Sequence, residues 1–445
     1  MAQRQTLDSR FRGNDDCLMS GQGCAGKPFD PVAVPEHFRN ATVTSPQYSP
    51  ATIPGMMTRR LRVLMLSDVY FPRINGVSTS IETFRRDLHH HGVDVTLIAP
   101  DYQLEDSVEN IHRVPARKLP FDPEDRLMHW DKLRTTAHGL AHKQFDVVHI
   151  QTPFAAHYAG VRFARKHGLP VLTTYHTHFE EYFHHYLPVV PRPLLKATAR
   201  GIARGQCNGL NAIIVPSRAM RDTLRGYGVH APLHVLPTGI PVERFRGGDG
   251  AAFRAKHGIA AERQVGLYVG RVAHEKNIGF LLEATLHMRA LNPNFLLVVA
   301  GEGPALNGLR QQAKQLGIED QVRFIGYLDR ETELPGCYAA ADVFVFASKT
   351  ETQGLVLLEA MAAGVPAYAF AEMGTKDILE PLRGAVIAPQ DAPGFAAGLH
   401  ALLQDKPRLQ TLSQEALAWA DEWSAPQRAK QLAELYASLK LDHQP

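Results

Sequence analysis

The sequence predicts an α/β protein made of two doubly wound domains, each a parallel sheet with helical crossovers. From residue 61 onward, short β-rich runs alternate with stretches of helical period, which is the pattern of parallel strands joined by helices. The series pauses at LPTGIPVERFRGGDGAAF, residues 236–253, a Pro- and Gly-rich segment, and then restarts as if a second sheet begins. The 445 residues, 44% hydrophobic and 21% charged, also exceed what one small core accommodates at roughly 150 residues per domain.

Residues 1–56 mix Gly, Pro, Ser, Asn and Asp with isolated apolar side chains and keep neither period 2 nor period 3.6, so they read as a disordered N-terminal extension. They contain no basic start followed by an apolar run, so a secretory signal is not expected. Met56 and Met57 stand just before the first regular run and either can be the natural start. The first domain is then expected over 57–239, with strands at RVLML, VDVTLIA, VVHI, PVLTTY and AIIVPS. The second is expected over 240–423, with strands at VGLYVG, FLLVVAG, VRFIG, VFVFAS and PAYAF. In the second, Ile278 to Leu291 predicts an amphipathic helix, with Ile278, Leu281, Leu282, Thr285 and Leu286 on its apolar face. Open α/β sheets bind ligands at the carboxyl ends of their strands, so the active site is expected between the two domains.

Lys and Arg number 48 against 45 Asp and Glu, a net charge of +3 that supplies no global field for nucleic acid. Cys17, Cys24, Cys207 and Cys337 form no C-x-x-C pair, which argues against a zinc module or disulfide scaffold and fits a reducing cytoplasm. The longest apolar stretch, Gly354 to Ala371, is interrupted by Glu359 and Pro366 and falls short of the ~20 apolar residues a spanning helix needs. The 22 histidines include His89-His90-His91 and His184-His185, but no H-E-x-x-H or regular ligand spacing accompanies them, so no metal site is expected.

The residues able to carry chemistry fall after the predicted strands. No G-x-G-x-x-G follows the first strand, against a dinucleotide oxidoreductase. There Asn75-Gly76 opens a helix expected to begin near Ser78, and reads either as a plain turn or as backbone that a phosphate can approach. In GRVAHEKN, Arg271 follows a strand and Lys276 precedes a helix, so the two cations read as solvated loop residues or as a clamp on one anion. As a clamp they would stabilise a diphosphate leaving group more as its charge develops. GEGP at 301–304 looks like backbone that something approaches closely. In SKTETQGLVLLEAMAAGVPAYAF, Glu351 lies in a loop and Glu359 inside an apolar helix, where a carboxylate is costly unless paired. The N–H groups of Gln353, Gly354 and Leu355 between them are placed to face a phosphate, and two carboxylates suit sugar and ribose hydroxyls. His176, in TTYHTHFEEYFHHY, follows a strand of the first domain and can hydrogen-bond a hydroxyl.

Taken together, the NGV loop, TYHT, VPS at 215–217, LPTGI at 236–240, GRVAHEKN, GEGP and the Glu-x7-Glu element resemble the retaining family 4 glycosyltransferases of GT-B fold, over about residues 61–440. The resemblance implies two Rossmann-like domains facing across a cleft, with a C-terminal helix at about 424–445 crossing back to the acceptor-side domain. It implies that Gly76 contacts the donor phosphate and His176 the transferred sugar, that Arg271 and Lys276 bind the diphosphate, and that Glu351 holds sugar hydroxyls and Glu359 the ribose. Gln353, where many members carry Gly, and Asn75, where some carry a second Gly, depart from the pattern at backbone positions, with little expected loss. No cofactor or metal is implied, the nucleotide sugar being a substrate.

Within the family, the first-domain segments are most similar to diacylglycerol glucosyltransferases and related lipid mannosyltransferases. They imply hexose transfer from UDP-glucose, or secondly GDP-mannose, to a lipid; a soluble glycan acceptor, or an epimerase or phosphorylase on the same fold, is the competing reading. Arg192, Lys196, Arg200 and Arg204 recur every four residues and form one basic stripe on a helix, suited either to solvent or to an anionic bilayer surface. A cytoplasmic protein, peripheral on the inner face of the membrane, is the expectation that follows.

Overall fold

Two parallel sheets form in the computed structural model, which describes residues 59–73, 75–103, 108–119, 122–176 and 192–443. The expected disordered extension at 1–56 and the His184-His185 run lie outside the described residues. In the first half the strands are β1 (Leu61–Leu66), β2 (Val93–Pro100), β3 (Ile111–Val114), β6 (Val147–Ile150), β7 (Val171–Thr174), β8 (Ala212–Val215) and β9 (Leu233–Val235), with β4 (Ala116–Leu119) and β5 (Asp122–Met128) as a separate antiparallel ribbon. They assemble in the order β3-β2-β1-β6-β7-β8-β9. In the second half β10 (Gln264–Val269), β11 (Phe295–Ala300), β12 (Val322–Gly326), β13 (Val343–Phe346), β14 (Ala367–Ala369) and β15 (Ala385–Ile387) assemble as β12-β11-β10-β13-β14-β15. In both orders the series reverses at the first strand of the sheet, the topological switch point at which doubly wound folds bind ligands.

Period 2 explains why these runs read as continuously apolar. Val63 and Met65 of β1 point into one cluster with Val95 and Leu97, while Leu64 and Leu66 point into another with Ile98 and Val148, so both faces are covered by helices. Helix Ile278–Leu291 has the expected bounds and buries Ile278, Leu281, Leu282 and Thr285, but Leu286 is 37% exposed, a correction to its predicted inward placement. The apolar stretch after Gly354 divides into helix Leu355–Ala362 and strand β14, broken by Gly364 at φ 77°. Among the described residues no helix is long and apolar enough to cross a membrane.

Between the sheets the chain crosses twice. Ile240 and Ser424 form a parallel bridge, Ile240 donates its N–H to Trp423 at 3.0 Å, and Ala425 donates to Ile240 at 2.9 Å. A Cβ on Gly239 would lie 2.5 Å from Ala425 Cα, so glycine there permits the two crossings to touch. After the second crossing, helix Ala425–Asp442 packs Ala429, Leu432, Ala433 and Tyr436 into the same cluster as β1 and helix Gly76–Leu88.

Candidate active site

The candidate residues lie in the segments that follow the strands' carboxyl ends, in loops or in the first turns of the helices after them, with Glu359 inside helix Leu355–Ala362. After β1, Asn75 caps helix Gly76–Leu88 by accepting the N–H of Ser78 at 2.8 Å, so the helix begins at Gly76 rather than near Ser78. Among the described residues, a Cβ on Gly76 would meet nothing within 4 Å, so no packing there demands glycine at this helix N-terminus.

His176, two residues beyond β7, brings its Nε2 to 3.0 Å from Gln151 Oε1. Gln151 directs its amide nitrogen to Met65 Sδ, which leaves its oxygen to accept, so His176 carries its proton on Nε2 and presents Nδ1 as an acceptor. Burial lowers its pKa to about 4 and keeps it neutral near pH 7. The segment following His176, including the rest of TTYHTHFEEYFHHY, lies outside the described residues.

In the second half, Lys276 closes a 3-10 turn at His274–Lys276 before helix Ile278–Leu291. Its Nζ lies 2.6 Å from Glu351 Oε1, in the loop after β13. This joins two of the expected site residues directly, because β10 and β13 are neighbours in the sheet. Arg271, at the end of β10, is exposed. Asn277, in the left-handed region at φ 56°, donates to the Ala347 carbonyl at 3.2 Å and pins the same two loops together. The GEGP segment is explained by the protein itself: a Cβ on Gly301 would lie 2.0 Å from the Gly270 carbonyl oxygen. What approaches that backbone is therefore the Gly270–Val272 loop carrying Arg271.

Gly354, at φ 92°, turns the chain into helix Leu355–Ala362, which has no side-chain cap, so its first N–H groups are not taken by one. Glu359, 3% exposed, accepts from Arg330 Nη2 at 2.6 Å and from Tyr338 OH at 2.8 Å. Burial, with the Glu359 charge beside it, raises the Tyr338 pKa well above its ordinary value, so the phenol remains a donor. Arg330 and Tyr338 are the partners that this buried carboxylate required, and they lie in the β12–β13 crossover, 29 and 21 residues away in sequence. Gln353, expected to matter through its backbone, also uses its side chain: it is buried, and its amide bonds both ways with the Thr238 backbone. Gly374, in a segment with no sequence signal of its own, also shapes this loop. Its N–H donates to the Glu351 carbonyl at 2.8 Å, and a Cβ there would lie 2.0 Å from Thr352 O.

Residues 74–244 match the model for Glycosyltransferase Family 4, and residues 249–419 that for Glycosyl transferases group 1. An alpha-monoglucosyldiacylglycerol synthase of Streptococcus pneumoniae is 33% identical over 317 residues, covering 69% of this chain and 71% of the relative. The chain belongs to the family 4 glycosyltransferases. A GDP-mannose-dependent alpha-mannosyltransferase of Mycobacterium tuberculosis is 28% identical to this glycosyltransferase over 350 residues, covering 74% of it and 84% of the relative. In structure the glycosyltransferase is similar to a sucrose-phosphate synthase from Thermosynechococcus elongatus, with TM-score 0.69 and 22% identity over 86% of this chain and 100% of that one, which shows the GT-B fold. The enzyme is a hexosyltransferase. Among the described residues of this glycosyltransferase, no group of three or more His, Cys, Asp or Glu is placed to hold a metal ion.

Proposed function

We propose that the enzyme transfers a hexose from a nucleotide sugar to a membrane lipid such as diacylglycerol with retention of anomeric configuration. The observation that carries the donor site is the Lys276–Glu351 pair at 2.6 Å, with Glu351 three residues before Gly354, where a helix with no side-chain cap begins. That arrangement sets an ammonium, a carboxylate and helix N–H groups in one loop cluster, which suits a phosphate beside a polyhydroxylated sugar. Arg271 and Lys276 stabilise the departing diphosphate. Glu351 accepts from sugar hydroxyls, Glu359 keeps lone pairs for the ribose, and the N–H groups of Gln353, Gly354 and Leu355 face the phosphates together with Gly76. The neutral His176 takes a sugar or acceptor hydroxyl on Nδ1. For retention, the acceptor oxygen forms its bond to the anomeric carbon on the face from which the diphosphate leaves, and its proton passes to the leaving oxygen.

Residues 57–239 with 424–445 form the acceptor-side domain in this reading, and 240–423 the nucleotide-sugar domain. UDP-glucose is the preferred donor because the 33%-identical relative is named as an alpha-monoglucosyldiacylglycerol synthase. GDP-mannose follows, on the relative that depends on it. A lipid acceptor would put the work at the inner membrane surface, and helix Arg192–Cys207 carries exposed Arg200 and Arg204 next to buried Ala199 and Ala203. The side chains of Arg192 and Lys196 lie outside the described residues. The experiment is transfer of labelled glucose or mannose from UDP-glucose and GDP-mannose to diacylglycerol-containing vesicles. Label in the lipid phase with α configuration is expected; label that stays in water with both donors defeats the reading.

A further inference from the structure

Three buried polar side chains meet where the chain leaves the first sheet for the second. Ser80 on helix Gly76–Leu88 is 2% exposed, Thr238 in the crossing 7%, and Gln353 in the loop before helix Leu355–Ala362 6%. Ser80 Oγ and Thr238 Oγ1 lie 2.7 Å apart. Gln353 Nε2 donates to the Thr238 carbonyl at 2.7 Å, and its Oε1 accepts the Thr238 N–H at 3.0 Å. A planar carboxamide offers one donor edge and one acceptor, so it can match a peptide unit on both sides, which a carboxylate or a hydroxyl cannot. Each of these groups would be costly to leave unpaired away from water, so the three bonds hold the positions of the elements they join.

Those elements are the two helix N-termini assigned above to the donor phosphates. Ser80 lies four residues beyond Gly76, on the same helix face, and Gln353 directly precedes Gly354. Glu351, paired with Lys276, is in the same short loop as Gln353. A second link between the halves, Arg218 to Asp377 at 2.8 Å, has a half-exposed arginine and is screened by solvent. The Ser80–Thr238–Gln353 chain is shielded and passes through a single residue of the crossing.

We infer that Thr238 is a positioning residue which, through Ser80 and Gln353, sets the spacing of the two phosphate-facing helix N-termini, so that the donor is held for transfer only when this crossing is in the observed arrangement. The inference rests on the donor-site reading above. Its test compares Thr238→Val, which deletes the hydroxyl at constant shape, with Thr238→Ser, which keeps it, and with Gln353→Met, which removes the amide at similar length. Both Thr238→Val and Gln353→Met are expected to lower kcat by about tenfold or more while changing the Kd of the bound nucleoside diphosphate, UDP or GDP, less than about threefold, because misplacement costs more in the transition state than in binding. Thr238→Ser should return kcat to that of the unmodified enzyme, and the double variant should be no slower than the slower single one. A Thr238→Val enzyme with lowered Tm but unchanged kcat overturns the inference, as do a Thr238→Ser enzyme as slow as Thr238→Val and losses that multiply in the double variant. If Gln353→Met fails to fold, the two Thr238 variants decide alone. An unmodified enzyme that binds neither UDP nor GDP would instead defeat the donor-site reading itself.

Discussion

Lys276 and Glu351 are each other's partner across the β10–β13 edge, with Nζ and Oε1 2.6 Å apart, so the proposed diphosphate cation is balanced by the proposed sugar-binding carboxylate. Removing one changes the field felt through the other. Lys276→Ala leaves the Glu351 carboxylate without its ammonium partner, whereas Arg271→Ala removes an exposed cation only.

Both substitutions are expected to lower turnover more than donor affinity, by about 3–4 kcal/mol for a well-placed donor and with the larger loss at Lys276. EDTA should have no comparable effect. Steady-state rates with and without chelator check this; activity lost to EDTA and restored by magnesium would show that charge stabilisation had been assigned to the wrong groups.

Glu359→Gln keeps an acceptor for Tyr338 but breaks the ion pair to Arg330, and Glu359→Ala removes both contacts. The donor KM is expected to rise in both, with about 1–3 kcal/mol lost for the unpaired ribose hydroxyls in the alanine variant. Glu359→Ala should also unfold at lower urea, because Tyr338 is left buried without its acceptor. An unchanged KM in a folded Glu359→Gln enzyme would remove this residue from the donor site.

Gly374→Ala puts a methyl 2.0 Å from Thr352 O and 2.7 Å from Gln353 N, so one loop must move away from the other. The displaced loop carries Glu351, and kcat should fall with an overpacking cost of about 1–3 kcal/mol in stability. Equilibrium unfolding and turnover measured together test the link: normal turnover would show that the Glu351 loop does not depend on this contact.

Much of the fold was legible in the chain because covered parallel strands and long helices leave strong periodic signals. β11 and β13, written FLLVVA and VFVF, are unbroken apolar runs, and helix Ile278–Leu291 repeats apolar residues at helical spacing. The short edge strands β3 and β9, written IHRV and LHV, are partly exposed and have no such signal; pairing with β2 and β8 makes them strands. At the site, Glu359 announced itself as a carboxylate among apolar residues, but Arg330 could not be chosen as its partner without the β12–β13 crossover. Gln353 was less legible still, because it bonds to main-chain atoms of Thr238, 115 residues away, and any residue type supplies those atoms.

Acid should destabilise the enzyme below about pH 6.5. Burial lowers the pKa of His149 to about 3 and those of His157 and His176 to about 4, so between the unfolded value of 6.5 and these values the unfolded chain takes up three protons that the folded chain refuses. Asp68 acts oppositely: burial raises it from 3.8 to about 6, and the folded chain holds that proton through the same window. Counting these four groups, three less one leaves about two protons and a stability loss on the order of 3 kcal/mol per pH unit on acidification. Urea midpoints at pH 7, 6 and 5 measure it, and a flat profile would contradict the burial of these imidazoles.

The final prediction concerns the bilayer. Arg200 and Arg204 are exposed on helix Arg192–Cys207, while Ala199, Ala203 and Cys207 are buried. An anionic surface attracts each nearby cation by about 1 kcal/mol, and the attraction weakens with salt because it is Coulombic. Sedimentation with phosphatidylglycerol vesicles should therefore carry the protein down at low salt and release it at high salt, while neutral phosphatidylcholine vesicles should not. Arg204→Glu is the cleaner variant, since the Arg200 guanidinium also lies 5.6 Å from the Tyr227 ring centroid and its loss disturbs packing. Arg204→Glu should reduce sedimentation and slow transfer to vesicle-borne lipid without changing the Kd for nucleoside diphosphate. Protein that remains in the supernatant at low salt, or a variant that sediments like the unmodified chain, would move the contact surface away from this helix and favour a soluble acceptor.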